Sequence, residues 1–262
     1  MEILSEIIAR KKQRLITSKS EKPFEPLRKE ALRLRSAIEP HLLVKALSSP
    51  ATNVIAEFKR KSPSRGVIRD GVTASGMASL YLAGGAAAIS VLTEEDYFAG
   101  SLDDLKSVRN SVACPILRKD FIVDEYEVYE TAATGADALL LIVAALEDEE
   151  LSRLRRVAEE ELGLDALVEV HTEEEMRRAV ASGARLIGVN NRNLKTLEVS
   201  LETSVSLART IPPHTIAVSE SGLRSAEDLQ SLRALGYKGF LIGESLMIAE
   251  RPDEALRALL QG

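Results

Sequence analysis

The sequence predicts an α/β protein: a closed (β/α)8 TIM barrel with an N-terminal helical extension. Three observations carry that expectation. From Asn53 onward, short apolar runs alternate with amphipathic helical segments, the pattern of a parallel sheet covered on both faces. Four times a glycine step closes a helix and an apolar run follows at once, at Gly85, Gly135, Gly183 and Gly236. Glycine just past a helix end takes the left-handed conformation that other residues resist. These steps lie about fifty residues apart, twice the length of one βα unit. The intervening strands are Pro115–Leu117, Ala166–Val170 and Thr215–Val218, and with Val54–Phe58 they make eight. Eight units in about 210 residues fit a closed barrel better than an open doubly wound sheet. No Gly-x-Gly-x-x-Gly follows the first strand, which weakens the dinucleotide-binding alternative.

Taken in order, residues 1–50 read as a helical extension packing on the barrel mouth and residues 51–262 as the barrel, one domain overall. Ile3, Leu4, Ile7, Ile8 and Leu15 sit at helical spacing opposite Arg10, Lys11, Lys12 and Arg14, which predicts an amphipathic first helix. A link interrupted by Pro23 and Pro26 leads to a second basic helix, from about Arg28 to Ile38. The barrel opens with Val54-Ile55-Ala56-Glu57-Phe58-Lys59-Arg60-Lys61-Ser62-Pro63-Ser64-Arg65-Gly66. Glu57 and Lys59 stand two residues apart on a strand, so they leave one face together. A solvated basic loop would start its charges after the strand; here they begin inside it. Among the later helices, Leu151–Leu162 and Glu173–Ala181 are the clearest.

Composition excludes several classes. The chain has 262 residues, 45% hydrophobic and 28% charged, enough for a sizeable core. A net charge of −6 and the lack of long basic runs argue against a nucleic-acid partner. Cys114 is the only cysteine, so no internal disulfide forms and the chain reads as cytoplasmic; beside Pro115 it reads as a buried thiol. No apolar run approaches the roughly 18 residues that span a bilayer, and the first residues carry acids where a signal peptide needs bases. His41, His171 and His214 are scattered without metal-ligand spacing. His171, two residues past Glu169 and just before a helix start, reads as a surface or capping residue. No Gly-x-Ser-x-Gly elbow occurs.

In such barrels chemistry sits at the C-terminal ends of the strands. Those ends are Glu57/Lys59, Thr93-Glu94-Glu95, Lys119-Asp120, Ala144-Ala145, Glu169, Asn190-Asn191-Arg192, Ser219-Glu220-Ser221-Gly222 and Gly243-Glu244. Ser221-Gly222 and Gly243-Glu244 follow the seventh and eighth strands, where barrels hold phosphate on backbone N–H groups. Lys59, Lys119, Glu57 and Glu169 form an acid/base set able to hold mixed protonation states. Phe98, Phe121 and Leu140 would supply an apolar wall for an aromatic ring.

These segments resemble the indole-3-glycerol phosphate synthase family of tryptophan biosynthesis. The resemblance is carried by Glu57–Ser64, Leu92–Gly100, Lys119-Asp120-Phe121, Val168–His171, Gly188–Arg192, Glu220-Ser221-Gly222 and Leu241–Met247. It implies a carbon–carbon lyase (carboxy-lyase), a decarboxylating enzyme of aromatic amino-acid biosynthesis. The implied reaction takes 1-(2-carboxyphenylamino)-1-deoxyribulose 5-phosphate through ring closure, decarboxylation and dehydration to indole-3-glycerol phosphate, CO₂ and water. On that resemblance Lys119, Glu169, Lys59, Glu57, Asn190 and Ser221 are catalytic. Ser62, Pro63, Phe98, Phe121, Leu140, Arg192, Gly222, Leu241, Gly243 and Glu244 bind substrate, Glu244 by its backbone N–H alone. No metal and no organic cofactor is implied, because the aniline ring supplies the electrons. The partner is a phosphorylated small molecule, with no nucleic acid and no membrane; monomer, weak homo-oligomer and association with other tryptophan-pathway enzymes all stay open. Two rival readings stand beside it: a Schiff-base lyase using Lys119 or Lys59 as nucleophile, and a catalytically silent phosphate-ligand binder.

Overall fold

Each apolar strand of this chain must be covered on both faces, and closure of the sheet on itself does this without leaving an edge. The computed structural model describes residues 2–261; Met1 and Gly262, the outer bounds of the two expected segments, lie outside the described residues. Three helices come first: α1 (Glu2–Glu21), α2 (Phe24–Arg35) and α3 (Leu42–Leu47). Then follow β1 (Asn53–Phe58), a small hairpin of β2 (Lys61–Ser62) and β3 (Gly66–Val67), α4 (Ala74–Ala83), β4 (Ala88–Leu92) and α5 (Leu102–Arg109). The chain continues through β5 (Ile116–Lys119), α6 (Glu125–Ala133), β6 (Ala138–Ile142), α7 (Asp148–Arg156), β7 (Asp165–Val170) and α8 (Glu173–Ala181). Next are β8 (Leu186–Asn190), α9 (Glu202–Leu207), β9 (Ile216–Glu220) and α10 (Ala226–Ala234). It ends with β10 (Gly239–Ile242), α11 (Glu244–Ile248) and α12 (Pro252–Gln261). The hairpin apart, neighbouring strands pair in parallel and β10 returns to β1, closing an eight-stranded barrel.

Local chemistry fixes the boundaries. Thr73, Ser101, Asp124, Thr172 and Ser225 cap α4, α5, α6, α8 and α10 with side-chain oxygens that accept backbone N–H bonds. The four expected glycines all have positive φ, from 83° at Gly183 to 104° at Gly236. Side chains alternate along each strand, so every second residue enters the barrel. The inward row packs Ile55, Leu117, Leu140, Leu167, Val218 and Leu241 into one apolar plug.

The extension differs from expectation in two places. The second helix starts at Phe24 rather than about Arg28 and ends at Arg35 rather than Ile38. Pro26 lies within its first turn, where the N–H it lacks has no helical partner to lose. A third helix, α3, is also present. At six residues it is too short to show an apolar period, yet Leu43 and Leu47 are fully buried in the barrel plug. Its start has no side-chain cap of its own. Instead Asp165, at the entrance of β7, accepts the N–H groups of Leu43 at 2.9 Å and Val44 at 3.0 Å. α3 thereby closes the N-terminal end of the barrel.

α1 lies at the opposite end. Its Lys11 reaches Asp120 at 2.7 Å and Glu127 at 3.2 Å, and Leu4 and Ile7 line a cavity with Phe98 and Phe121. Among the described residues no helix is long and apolar enough to cross a membrane.

The cap on α3 is remote from the barrel mouth, so Asp165→Ala should cost stability without costing turnover. The expected loss is about 2–3 kcal/mol, for two buried N–H groups left without an acceptor. Urea denaturation beside steady-state kinetics checks it: a large fall in kcat with unchanged midpoint would reverse the assignment.

Candidate active site

The rule that makes the plug apolar also builds the site. One step beyond each inward apolar residue toward the strand's C-terminus stands a polar one: Glu57 beyond Ile55, Lys119 beyond Leu117, Glu169 beyond Leu167, Asn190 beyond Gly188 and Glu220 beyond Val218. Strand register brings them to one level, with Glu169 opposite Gly188, and Asn190 opposite Glu220. They line a cavity of about 120 Å³ together with Lys59, Ser221, Phe98, Phe121, Leu140, Arg192 and Leu241.

Three carboxylates and two ammonium groups meet here, and the contest between burial and charge sets the proton occupancy of Lys119, Glu169 and Glu220. Lys119 Nζ lies 3.1 Å from Glu169 Oε2 and 3.5 Å from Glu220 Oε2. Lys59 Nζ pairs with Glu57 Oε1 at 3.0 Å, and Ser90 Oγ donates to Glu57 Oε2 at 3.3 Å. Burial works against the charge on Lys119, but the fields of Glu169, Glu220 and Glu57 outweigh it and raise its pKa well above the ordinary 10.5. Burial likewise opposes ionisation of Glu169, yet Lys119, His171 and a hydrogen bond from Asn190 hold it below the usual value. Glu220 loses that contest. Burial, with Glu169 and Glu57 nearby, outweighs Lys119 and pushes its pKa up to about 8. Neither of its oxygens has a hydrogen-bond partner among the described residues. A carboxylate and a neighbouring carboxyl with separated pKa values are the usual mark of divided acid and base roles.

A second cavity, of about 380 Å³, opens beside the first between the ends of β9 and β10. Ser221, Gly222, Gly243 and Glu244 line it with Lys59, Arg65 and Arg192. Ser221 and Gly222 both take positive φ, 68° and 83°, a strained pose for serine that turns the loop tightly. A Cβ on Gly222 would stand 2.6 Å from Val199, and one on Gly243 would stand 2.7 Å from Glu57 Oε1. Glycine is thus required for close approach. The Glu244 carboxylate turns away to Arg65 at 2.6 Å. A third, mainly apolar cavity of about 90 Å³ is lined by Ser62, Pro63, Phe98, Phe121 and residues of α1. The Phe98 and Phe121 rings stand 6.1 Å apart. Lys59 and Arg192 line all three spaces, and Arg192 is held by donating to the Leu197 carbonyl at 2.9 Å. Among the described residues no group of three His, Cys, Asp or Glu side chains is arranged to hold a metal.

The family profile for indole-3-glycerol phosphate synthase matches residues 4–259. The chain belongs to the indole-3-glycerol phosphate synthase family. A protein of that name from Carboxydothermus hydrogenoformans is 45% identical over 262 residues, covering 98% of this chain and 99% of the relative. Another, from Syntrophobacter fumaroxidans, is 48% identical over 230 residues, covering 87% and 86%. A solved thiamine phosphate pyrophosphorylase from Pyrococcus furiosus superposes with a TM-score of 0.59 at 17% identity, covering 80% of this chain and 94% of that one; at that distance the likeness is one of fold.

For a synthase of this family, all sixteen residues singled out in the sequence fall on these three connected cavities. Two further residues need correction. His171 is not a surface or capping residue: its side chain is only 10% exposed and Nε2 sits 3.4 Å from Glu169 Oε1, while Thr172 makes the cap. The period-2 row Leu167, Glu169, His171 already points it inward. In the sequence Glu220 stands next to a Ser-Gly turn, which gives it no role of its own. The same alternation, Ile216, Val218, Glu220, puts it beside Lys119, and Gly188 makes room for it: a Cβ there would stand 2.0 Å from Glu220 Oε1.

The raised pKa of Glu220 has a consequence for stability. In the folded chain Glu220 keeps its proton to about pH 8, whereas unfolded it ionises near 4.5. The cost that ionisation adds is therefore absent at low pH and grows progressively as pH rises between those values. Glu220→Gln, which cannot ionise, should gain stability over the parent as pH rises from 4.5 to 8, by up to about 4 kcal/mol. Denaturation midpoints across that range test this; a constant difference would show that Glu220 is ionised in the fold.

Proposed function

We propose that Lys119 is the general acid and Glu169 the acid/base of the later, dehydrating step in the reaction this family performs. The chain is an indole-3-glycerol phosphate synthase, a carboxy-lyase of tryptophan biosynthesis. It converts 1-(2-carboxyphenylamino)-1-deoxyribulose 5-phosphate to indole-3-glycerol phosphate, CO₂ and water. The observation that carries the division of roles is the Lys119 ammonium, flanked by Glu169 at 3.1 Å and Glu220 at 3.5 Å. A lysine kept protonated donates well to a developing alkoxide and cannot attack a carbonyl.

The substrate phosphate sits on the N–H groups of Ser221-Gly222 and Gly243-Glu244, with Lys59 reaching toward it. The aromatic ring lies among Pro63, Phe98, Phe121, Leu140 and Leu241, with Ser62 and Arg192 alongside. The ring carbon that bears the carboxylate attacks the ribulose carbonyl, and Lys119 delivers a proton to its oxygen as charge develops there. The carboxylate leaves as CO₂ and its electron pair restores the ring. Loss of the resulting hydroxyl as water, with Glu169 moving the remaining proton, completes the indole. Glu57, Asn190 and Ser221 orient substrate hydroxyls. Residues 1–50 act as an extension closing the mouth of the barrel formed by residues 51–262, within one domain. The enzyme works in the cytoplasm on its phosphorylated substrate as a monomer or weak homo-oligomer, open to association with other enzymes of the pathway.

Lys119→Met should lower kcat by roughly 10²–10⁴-fold, the range for one positioned acid. Lys119→Arg should rescue little, because guanidinium holds its proton too tightly. Borohydride added during turnover should leave no substrate-derived mass on the enzyme, whereas an adduct mapped to Lys119 would favour Schiff-base chemistry.

Truncation of residues 1–40 tests the extension. It keeps α3 as the barrel's lower plug but removes Lys11 from Asp120 and Glu127. A folded, soluble truncation should show a raised KM; unchanged KM and kcat would refute closure.

A further inference from the structure

His171 is, with Glu220, a titratable group at the mouth for which the reaction above has no use. It extends the inward row of β7, and its buried Nε2 faces Glu169 Oε1 at 3.4 Å without a well-aligned hydrogen bond. Lys119 donates to the other oxygen, Oε2, at 3.1 Å. On the far side of the imidazole, Nδ1 lies 3.1 Å from Glu175 Oε2, and the same oxygen accepts the His171 backbone N–H at 2.6 Å. Glu175 is itself fixed, because its N–H donates to the α8 cap Thr172 at 3.1 Å. The imidazole is clamped by the first turn of α8 and aimed at the Glu169 oxygen that Lys119 leaves free.

We propose that His171, held as an imidazolium by Glu175, is a positioning residue that keeps Glu169 anionic while Lys119 is without its proton. The inference rests on the roles given above to Lys119 and Glu169. Once Lys119 has protonated the substrate oxygen it is neutral, and the buried Glu169 has lost its first counter-ion. An unpaired buried carboxylate takes up a proton. A second cation on the opposite oxygen prevents that and preserves the base for dehydration.

The surroundings favour a charged imidazole. Burial opposes the charge, but the hydrogen bond to Glu175 and the fields of Glu169, Glu175 and Glu220 raise the His171 pKa above the ordinary 6.5. The cavity outside it is lined from α1 and from the segment after β6 by uncharged groups, such as Ser5, Ile8, Ala144 and Ala145. The loop after β8 brings the cations Arg192 and Lys195 to that cavity, and Lys119 faces two of the three carboxylates, Glu169 and Glu220, from β5.

Three measurements decide the matter. In the wild-type enzyme, ¹⁵N NMR of the His171 ring should show both nitrogens protonated at pH 7. Glu169→Gln should lower that titration, since coupling between two sites is reciprocal. In His171→Gln, the acid limb of the kcat–pH profile, which reports ionisation of Glu169, should move up by about one unit with KM nearly unchanged. Glu175→Gln should move the limb the same way by less. A neutral imidazole at pH 7, or a drop in kcat that is equal at every pH, would overturn the proposal. If His171→Gln fails to fold, the wild-type titration and Glu175→Gln still decide. Near-wild-type kcat in Glu169→Gln would instead overturn the role of Glu169, leaving the His171–Glu169 pair to be judged by NMR alone.

Discussion

A lysine ammonium buried at the end of an apolar strand has to be surrounded by negative charge, and the mouth of this barrel is arranged around that requirement. Lys119 emerges from Leu117 and the apolar plug and meets Glu169 and Glu220, with Glu57 adding to the field. Two buried carboxyl groups, Glu169 and Glu220, share that one ammonium, and their proton affinities are driven apart. Glu169, bonded by Lys119 and Asn190 and faced by His171, is the anion; Glu220, with no hydrogen-bond partner among the described residues, keeps its proton. The protonation pattern is a property of the cluster rather than of any one side chain.

The two ends of the barrel divide stability from chemistry. At the N-terminal end α3 plugs the core with Leu43 and Leu47, and Asp165 caps it. Charge is buried there too, but it is spent on backbone N–H groups. At the C-terminal end α1 is fastened by Lys11 to Asp120 and Glu127. Asp120 in turn accepts bonds from Thr93 at 2.6 Å and Arg118 at 3.1 Å. Asp120 is the neighbour in sequence of Lys119 and Phe121, so the extension is anchored directly behind the residues that would handle the substrate. The loop after β9 carries backbone strain in Ser221, whose φ is 68°, where a rigid scaffold supports it.

Much of this was legible from residue order. Barrel closure followed from eight apolar runs and four glycine stops, and Glu57, Lys119, Glu169 and Asn190 followed from strand ends. Period-2 alternation would also have shown Glu220 and His171 pointing inward. One stands within a glycine turn and the other just before a helix cap, and those local signals mask the strand parity. The short helix α3 had no such signal, since six residues do not display a period.

The sequence by itself determined which side chains enter the barrel, because side-chain direction along a strand depends on position alone. It also determined where four helices stop and where α4, α5, α6, α8 and α10 begin, because glycine stops and Ser, Thr and Asp caps act over a few residues. Only the tertiary structure decided which charges share a neighbourhood and in what protonation state. Glu169 and Glu220 are fifty-one positions apart in the chain, and both stand within 3.5 Å of one lysine nitrogen. Electrostatic energy depends on that distance and on burial, and neither exists until the strands have closed.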